Sequence, residues 1–241
     1  MIEPPGIILE GEARIGGIPL FAPLRLELRA GQWTSLLGAS GVGKTTLLRQ
    51  IAGLETGAIF LGAITTSDSR ALGSHIAYMG QSDLLAPWLD VTGNVTLGAR
   101  LRGLKPDQAK ARDLIERVGL GNHAHQRPHT LSGGQRQRAS LARTLMEDRP
   151  VVLLDEPFSG LDARTRADIQ EMAGDLLSGR TVLLVTHEPG EAVRLSHFAY
   201  LMTTQGLSPL GLPPSPPVRP VDEPATLAAQ AEMYRRLRRA P

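Results

Sequence analysis

The stretch Gly38-Ala39-Ser40-Gly41-Val42-Gly43-Lys44-Thr45 decides how the rest of the chain is read. It fits the P-loop pattern G-x-x-x-x-G-K-[ST] at every fixed position. Residues 33–37 before it read as a buried strand. Residues 46–52 after it read as a helix, with Leu47, Leu48 and Ile51 on one face. A strand–loop–helix frame is the context the motif needs. Glycines let the backbone turn tightly and aim its N–H groups inward. The helix N-terminus adds a positive dipole end, so the loop suits phosphate. In this reading Lys44 reaches the β- and γ-phosphates of a nucleotide and Thr45 ligates Mg²⁺. Residues 38–45, together with Thr46, are the candidate nucleotide cradle. A glycine-rich loop that only turns the chain leaves the Lys44-Thr45 pair unexplained.

The chain has 241 residues, enough for one large domain or two small ones. Hydrophobic residues make up 41%, which is ordinary for a protein that buries a core. The formal net charge is only +2, and the excess base gathers at Arg235, Arg236, Arg238 and Arg239. Charge therefore does not call for nucleic acid as a partner. With no cysteine there is no disulfide, no thiol catalysis and no Cys-held metal, and the six His show no zinc spacing. Residues 1–9 lack the basic start and apolar run of a signal peptide. No run approaches the roughly 18 apolar residues of a membrane span. A soluble, cytoplasmic protein is expected.

Residues 7–9 and 24–28 read as early strands. Leu24, Leu26 and Leu28 alternate with Arg25 and Glu27, the pattern of a half-solvated antiparallel strand. A short strand is expected at 58–61 and another at 74–79. The second runs into Gln81-Ser82-Asp83-Leu84-Leu85-Ala86-Pro87-Trp88-Leu89, an odd mixture for a plain connector. Its Leu84, Leu85 and Trp88 are either core or a docking patch. Residues 91–101 and 106–118 read as helices, the second opening on Pro106-Asp107. Leu131-Ser132-Gly133-Gly134-Gln135 then opens a helix to about residue 146. Ser132 can cap it, with Gln135 three residues on as in a capping box. Two adjacent glycines and two arginines make the stretch more than a cap.

Residues 151–154 are wholly apolar, as in a buried parallel strand, and end in Asp155-Glu156. Carboxylates at that end of a strand sit where α/β sheets bind ligands. With a P-loop upstream, Asp155 is a Mg²⁺ partner and Glu156 a candidate base. Asp162 follows in a turn before a helix at 163–177. A second apolar strand, 181–185, ends next to His187, near a terminal phosphate if the sheet is doubly wound. A last strand is expected at 198–202. Residues 208–224 are proline-rich and read as an extended linker, with a short basic helix at 225–239.

The set of motifs resembles the ATPase subunit of ATP-binding-cassette (ABC) transporters over about residues 8–202. Leu131-Ser132-Gly133-Gly134-Gln135 matches that family's signature, which is far more specific than a P-loop alone. The order P-loop, Gln81, signature, Asp155-Glu156, Asp162, His187 also matches. The resemblance implies an α/β P-loop NTPase core with a parallel sheet, an antiparallel β subdomain and a helical subdomain at about 90–148. The cassette would span 1–206, with the linker and basic helix at 207–241. It implies ATP and Mg²⁺ as cofactors and two copies arranged head to tail. ATP on one P-loop would be closed over by Ser132, Gly133, Gly134 and Gln135 of the other copy. Glu156 would polarise the attacking water and His187 would contact the γ-phosphate. Gln81 would sense the γ-phosphate or Mg²⁺, and Asp162 would bridge the dimer. Partners would be membrane-spanning permease subunits and, indirectly, a solute-binding protein, with the chain on the inner face of the cell membrane.

Residues 84–89 are similar to the importer branch that serves nitrate, sulfonate, taurine and a pyrimidine precursor of thiamine. An exporter or lipoprotein-release ATPase shares the catalytic motifs. A non-transport cassette protein would bring long coiled coils or a second cassette, and neither is present. In one place the chain departs from the family. Where many members carry an aromatic ring for adenine, this sequence has Ile15, in Arg14-Ile15-Gly16-Gly17. Either Ile15 covers the base by apolar contact, or Phe21 or another ring reaches it.

Overall fold

The computed structural model describes residues 4–69 and 72–239. In chain order its first elements are β1 (Ile7–Ile15), β2 (Ile18–Leu28), β3 (Trp33–Leu37), α1 (Lys44–Ile51), β4 (Ile59–Thr66) and β5 (Ile76–Met79). Next come α2 (Val91–Val95), α3 (Leu97–Leu101), α4 (Gln108–Arg117) and α5 (Gly133–Met146). The rest are β6 (Val151–Asp155), α6 (Ala163–Leu176), β7 (Thr181–Val185), α7 (Pro189–Leu195), β8 (Phe198–Thr203), β9 (Gly206–Leu210) and α8 (Pro224–Arg239). The chain forms two compact units. One holds the residues up to Ile76, Pro150–Asp155 and the residues from Leu177 onward; the other holds Ala77–Arg149 and Glu156–Leu176.

In the first unit a three-stranded antiparallel sheet has the order β2-β1-β4. Leu24, Leu26 and Leu28 are buried while Arg25 and Glu27 between them are exposed, as the alternation predicts. The early strands are longer than expected and meet in a hairpin at Gly16-Gly17. Both glycines have positive φ (57° and 83°), which a two-residue hairpin turn requires. The second sheet holds β6-β7-β3 in parallel, then β8 parallel to β3 and β9 antiparallel to β8. Every residue of β3, β6 and β7 is buried, which explains their unbroken apolar character. The chain leaves this unit at the β6 edge, where the Val151 N–H donates to the His75 carbonyl at 3.1 Å.

The tail corrects the expected boundary at 206/207 and the reading of an extended linker. Residues 206–210 are β9, paired with β8. Arg219 is only 3% exposed, and its guanidinium donates to the carbonyls of Val193 (2.5 Å), Ser196 (2.8 Å) and Pro213 (3.0 Å). Met233 of α8 is buried with Leu37, Ala192 and Val193, so the helix closes the core beside α7. Proline-rich composition signals an extended chain, but not whether a buried arginine ties it down.

In the second unit Asp90 caps α2 and Asp107 caps α4, each through its side chain. Ala111, Leu114 and Ile115 of α4 and Ala139, Leu141 and Ala142 of α5 are buried. The single helix expected over 91–101 is two, broken at Thr96. Its buried hydroxyl donates back to the Thr92 carbonyl at 2.8 Å, a local competitor of the helical pattern. Among the described residues no helix is long and apolar enough to cross a membrane.

Candidate functional site

In the first unit, β3 runs into the P-loop, β6 ends at Asp155, and β7 ends two residues before His187. Leu36 and Asp155 both register with Val185, one on each side of it. With strands about 4.8 Å apart, Asp155 lies about 10 Å across the sheet from Leu36, two residues before Gly38. The P-loop, Asp155 and His187 thus leave the same edge, where open α/β sheets bind ligands. Asp155 is 1% exposed, whereas His187 is exposed. The Thr186 hydroxyl donates to Glu191 at 2.6 Å and accepts from the Glu188 N–H at 3.0 Å, which fixes the turn that carries His187.

Backbone conformation shapes the P-loop. Gly38, Gly41 and Gly43 have φ of 157°, 84° and 99°. A Cβ on Gly38 would stand 2.4 Å from the Met202 carbonyl oxygen, and one on Gly43 would stand 2.8 Å from the Phe21 ring. Lys44 is buried and folds across its own loop, donating to the carbonyls of Gly38 (2.9 Å) and Ala39 (2.8 Å). No side chain caps α1, so its first turn is open to an anionic ligand. The donor set also suits Mg²⁺, which takes oxygen ligands, few of them from protein and the rest from phosphate and water. Thr45 offers a hydroxyl and Asp155 a carboxylate. Among the described residues no cluster of three or more His, Asp or Glu could hold a metal alone.

The second unit brings Gln81 and Glu156 together. Gln81 Nε2 donates to Glu156 Oε2 at 3.3 Å. Glu156 has φ of 50°, in the left-handed region. Its carbonyl is held by Gln137 Nε2 (3.1 Å), the Ser159 N–H (3.2 Å) and the Ser159 hydroxyl (2.9 Å). A strained backbone kept by three donors aims one side chain, here a carboxylate.

The signature turn forms the expected capping box. The Ser132 hydroxyl accepts from the Gln135 N–H at 3.2 Å, and the Ser132 N–H donates to Gln135 Oε1 at 2.7 Å. The two glycines differ. Gly133 is exposed, and a Cβ there would meet only the Arg136 guanidinium at 4.0 Å, whereas a Cβ on Gly134 would meet the Gly160 carbonyl at 3.3 Å. Gly134 thus serves close packing within the chain. Asp162 is exposed and accepts from the Thr165 N–H at 3.1 Å, capping the start of α6. Hydrogen bonds from Thr165 hold its carboxyl below the usual carboxylate range.

Several residues that act on this region were not singled out by sequence. Arg143 donates to the carbonyls of Leu84 (2.6 Å) and Asp83 (2.8 Å), and Arg136 pairs with the Asp83 carboxylate at 2.9 Å. Burial pushes the Arg143 guanidinium down, against the pull of Asp83 and Glu147. Gln137 holds Glu156. The available signal was the recurrence of polar Gln137, Ser140 and Thr144 along the buried face of α5. The stretch after Gln81 also divides. Leu85 is 9% exposed and Trp88 72%, so Leu85 is core and Trp88, with Leu84, is surface. Phe21, 1% exposed behind Gly43, is core and is closed to a base.

The family model for ABC transporters matches residues 21–159, which contain the P-loop, the signature and Glu156. The chain belongs to the ABC transporter family. It is the family's ATP-binding component, an ATPase that drives transport. A Haemophilus influenzae protein named as an uncharacterized ABC transporter ATP-binding protein is 47% identical over 188 residues, 77% of each chain. The aliphatic sulfonates import ATP-binding protein SsuB 1 of Rhodococcus jostii is 44% identical over 185 residues, 76% of this chain and 73% of its own. A solved dimeric bacterial ABC transporter cassette superposes with a TM-score of 0.74 at 25% identity, over 89% of this chain and 99% of the cassette. The expected fold class, an α/β cassette with parallel and antiparallel sheets, therefore stands.

Proposed function

We propose that this ABC ATPase powers the import of a small organic sulfonate or a closely related anion. The observation that carries this reading is its 40–44% identity to several relatives named as aliphatic sulfonate import ATPases. ATP binds at the P-loop, and Lys44 exchanges its two loop carbonyls for phosphate oxygens. Thr45 and Asp155 would hold Mg²⁺, which when bound would offset charge on the phosphates. Glu156 orients the attacking water and takes its proton, with Gln81 steadying the carboxylate. His187 donates to the γ-phosphate. A second copy, head to tail, supplies Ser132, Gly133, Gly134 and Gln135 over the γ-phosphate, and Asp162 bridges the two. The exposed Leu84 and Trp88 dock on permease subunits at the inner face of the membrane, and a solute-binding protein delivers the cargo.

The test is reconstitution in proteoliposomes with permease subunits and a solute-binding protein. ATP turnover is measured with the binding protein loaded with an alkanesulfonate, taurine, nitrate or a thiamine-precursor pyrimidine. Stimulation by the alkanesulfonate is expected. Stimulation by another cargo alone overturns the choice of solute, and full stimulation without any binding protein overturns import.

A further inference from the structure

We propose that His123 is a positioning residue for the signature turn. It fixes the side-chain amide of Gln135 and, through it, the capping box of residues 132–135. The proposal rests on the reading above that this turn closes over the ATP of a second copy.

The direction of donation follows from one group that has no choice. The Ser132 N–H can only donate, so the atom facing it at 2.7 Å is Gln135 Oε1. Gln135 Nε2 must then donate, and its partner at 3.1 Å is His123 Nε2. An imidazole nitrogen that accepts carries no proton, so the ring is neutral with its proton on Nδ1. Nδ1 lies 3.0 Å from Gln126 Oε1, the acceptor this tautomer needs. The ring is itself held in place. The His123 N–H donates to the Leu120 carbonyl at 2.8 Å, and the Gln126 N–H donates to the His123 carbonyl at 2.9 Å. One unbroken line of donation therefore runs from Ser132 to Gln135 to His123 to Gln126.

A protonated ring breaks this line. Its Nε2–H would face the Gln135 NH₂ group, donor against donor. Rotating the amide to present oxygen to the ring turns the NH₂ onto the Ser132 N–H, so either way the half of the capping box made by Gln135 Oε1 is weakened or lost. Charges of both signs flank the turn. The Glu116 carboxylate of α4 lies against Gly121, 2.3 Å from where a Cβ would stand. From α5, Arg138 donates to the Val118 and Gly119 carbonyls, and Arg136 pairs with Asp83. The Asp90–His125 pair stands at 3.4 Å. Among the described residues the hydrogen-bond partners of the His123 ring are Gln126 and Gln135.

The experiment compares the full chain with His123→Gln, which keeps an acceptor oxygen, and His123→Leu, which has none. Hydrogen-exchange protection of the Ser132 amide is followed by NMR at one fixed pH, and ATP turnover is measured under the same conditions. His123→Gln should retain most of the wild-type Ser132 protection and kcat. His123→Leu should lose roughly fivefold of each, the worth of one hydrogen bond, with KM for ATP unchanged. Ser132 protection that ignores His123→Leu, or that falls equally in His123→Gln and His123→Leu, overturns the proposal. If His123→Leu does not fold, His123→Ala takes its place. If Ser132 protection follows His123 while turnover does not, the positioning role stands, and the assignment of this turn to the ATP site falls.

Discussion

The P-loop and the signature turn are both glycine-rich entries to a helix, yet they are held by opposite means. In the P-loop the conformation itself is the device. Gly38, Gly41 and Gly43 occupy φ values that other residues resist, and α1 starts without a side-chain cap. Neither signature glycine has positive φ, and Ser132 and Gln135 satisfy each other in a capping box. The same contrast extends outward. In the second unit, Gln137, Arg136, Arg143 and His123 reach from side chain to backbone or to another side chain to hold the loops that carry Glu156, Asp83 and Gln135. A site made by backbone is preformed for phosphate. A site made by side-chain bonds can be re-made, which suits the proposed role of this turn, closing over ATP and opening again.

The hardest test of this contrast separates chemistry from binding. Glu156→Gln should keep ATP affinity and lose hydrolysis by about 10²–10⁴-fold, the usual worth of a general base. ATP-bound dimers should then accumulate on size exclusion. Turnover at the wild-type rate would remove Glu156 from its role.

The next largest effect should come from adding one methyl group to each glycine turn. Gly43→Ala places a Cβ at φ 99° and against Phe21, at a cost of about 1–2 kcal/mol for the left-handed conformation alone. ATP affinity should fall by about tenfold or more. Gly133→Ala meets nothing closer than Arg136 at 4.0 Å. It should leave the fold and ATP binding within about 0.5 kcal/mol of wild type while weakening ATP-driven dimerisation. Calorimetry with ATP and light scattering read the two quantities, and equal losses of ATP affinity would erase the distinction.

Arg143→Gln should come third. It withdraws charged donors from the Asp83 and Leu84 carbonyls and should destabilise the second unit by about 2 kcal/mol, seen as a lower Tm. A neutral outcome would mean that the loop after Gln81 is held by Leu85 burial instead.

How far the sequence could be read follows the same division. The P-loop, the buried strands and the Ser132–Gln135 box were legible because each is written in a few adjacent residues. The left-handed φ of Glu156 was not, because it depends on Gln137, nineteen positions away. Leu85 and Trp88, three residues apart, could not be sorted into core and surface without knowing which carbonyls Arg143 holds. The tail was misread for a similar reason: Arg219 reaches back to Val193 and Ser196, and no local pattern announces that.

The smallest expected effect concerns the base rather than the phosphates. Ile15 and Ile18 pair across the β1–β2 hairpin, 48% and 74% exposed. Three residues further on, Phe21 lies against Gly43 of the P-loop. At about 3.3 Å per residue, the hairpin tip stands about 10 Å along β2 from that contact. This is a fitting distance for a base whose phosphates occupy the loop. Aliphatic side chains can cover adenine but lack a π-face, and stacking on a ring is worth about 1–3 kcal/mol per base in nucleic-acid binders. The shortfall here should be a fraction of that, about 1 kcal/mol. Ile15→Tyr should therefore tighten ATP binding several-fold, leave the maximal hydrolysis rate nearly unchanged, and sharpen the preference for ATP over GTP. Because Phe21 is buried, the control Phe21→Ala should lower Tm as a core truncation does. Nucleotide affinities and melting curves for both variants separate the two roles. If Ile15→Tyr leaves ATP affinity unchanged, the base lies away from the hairpin tip.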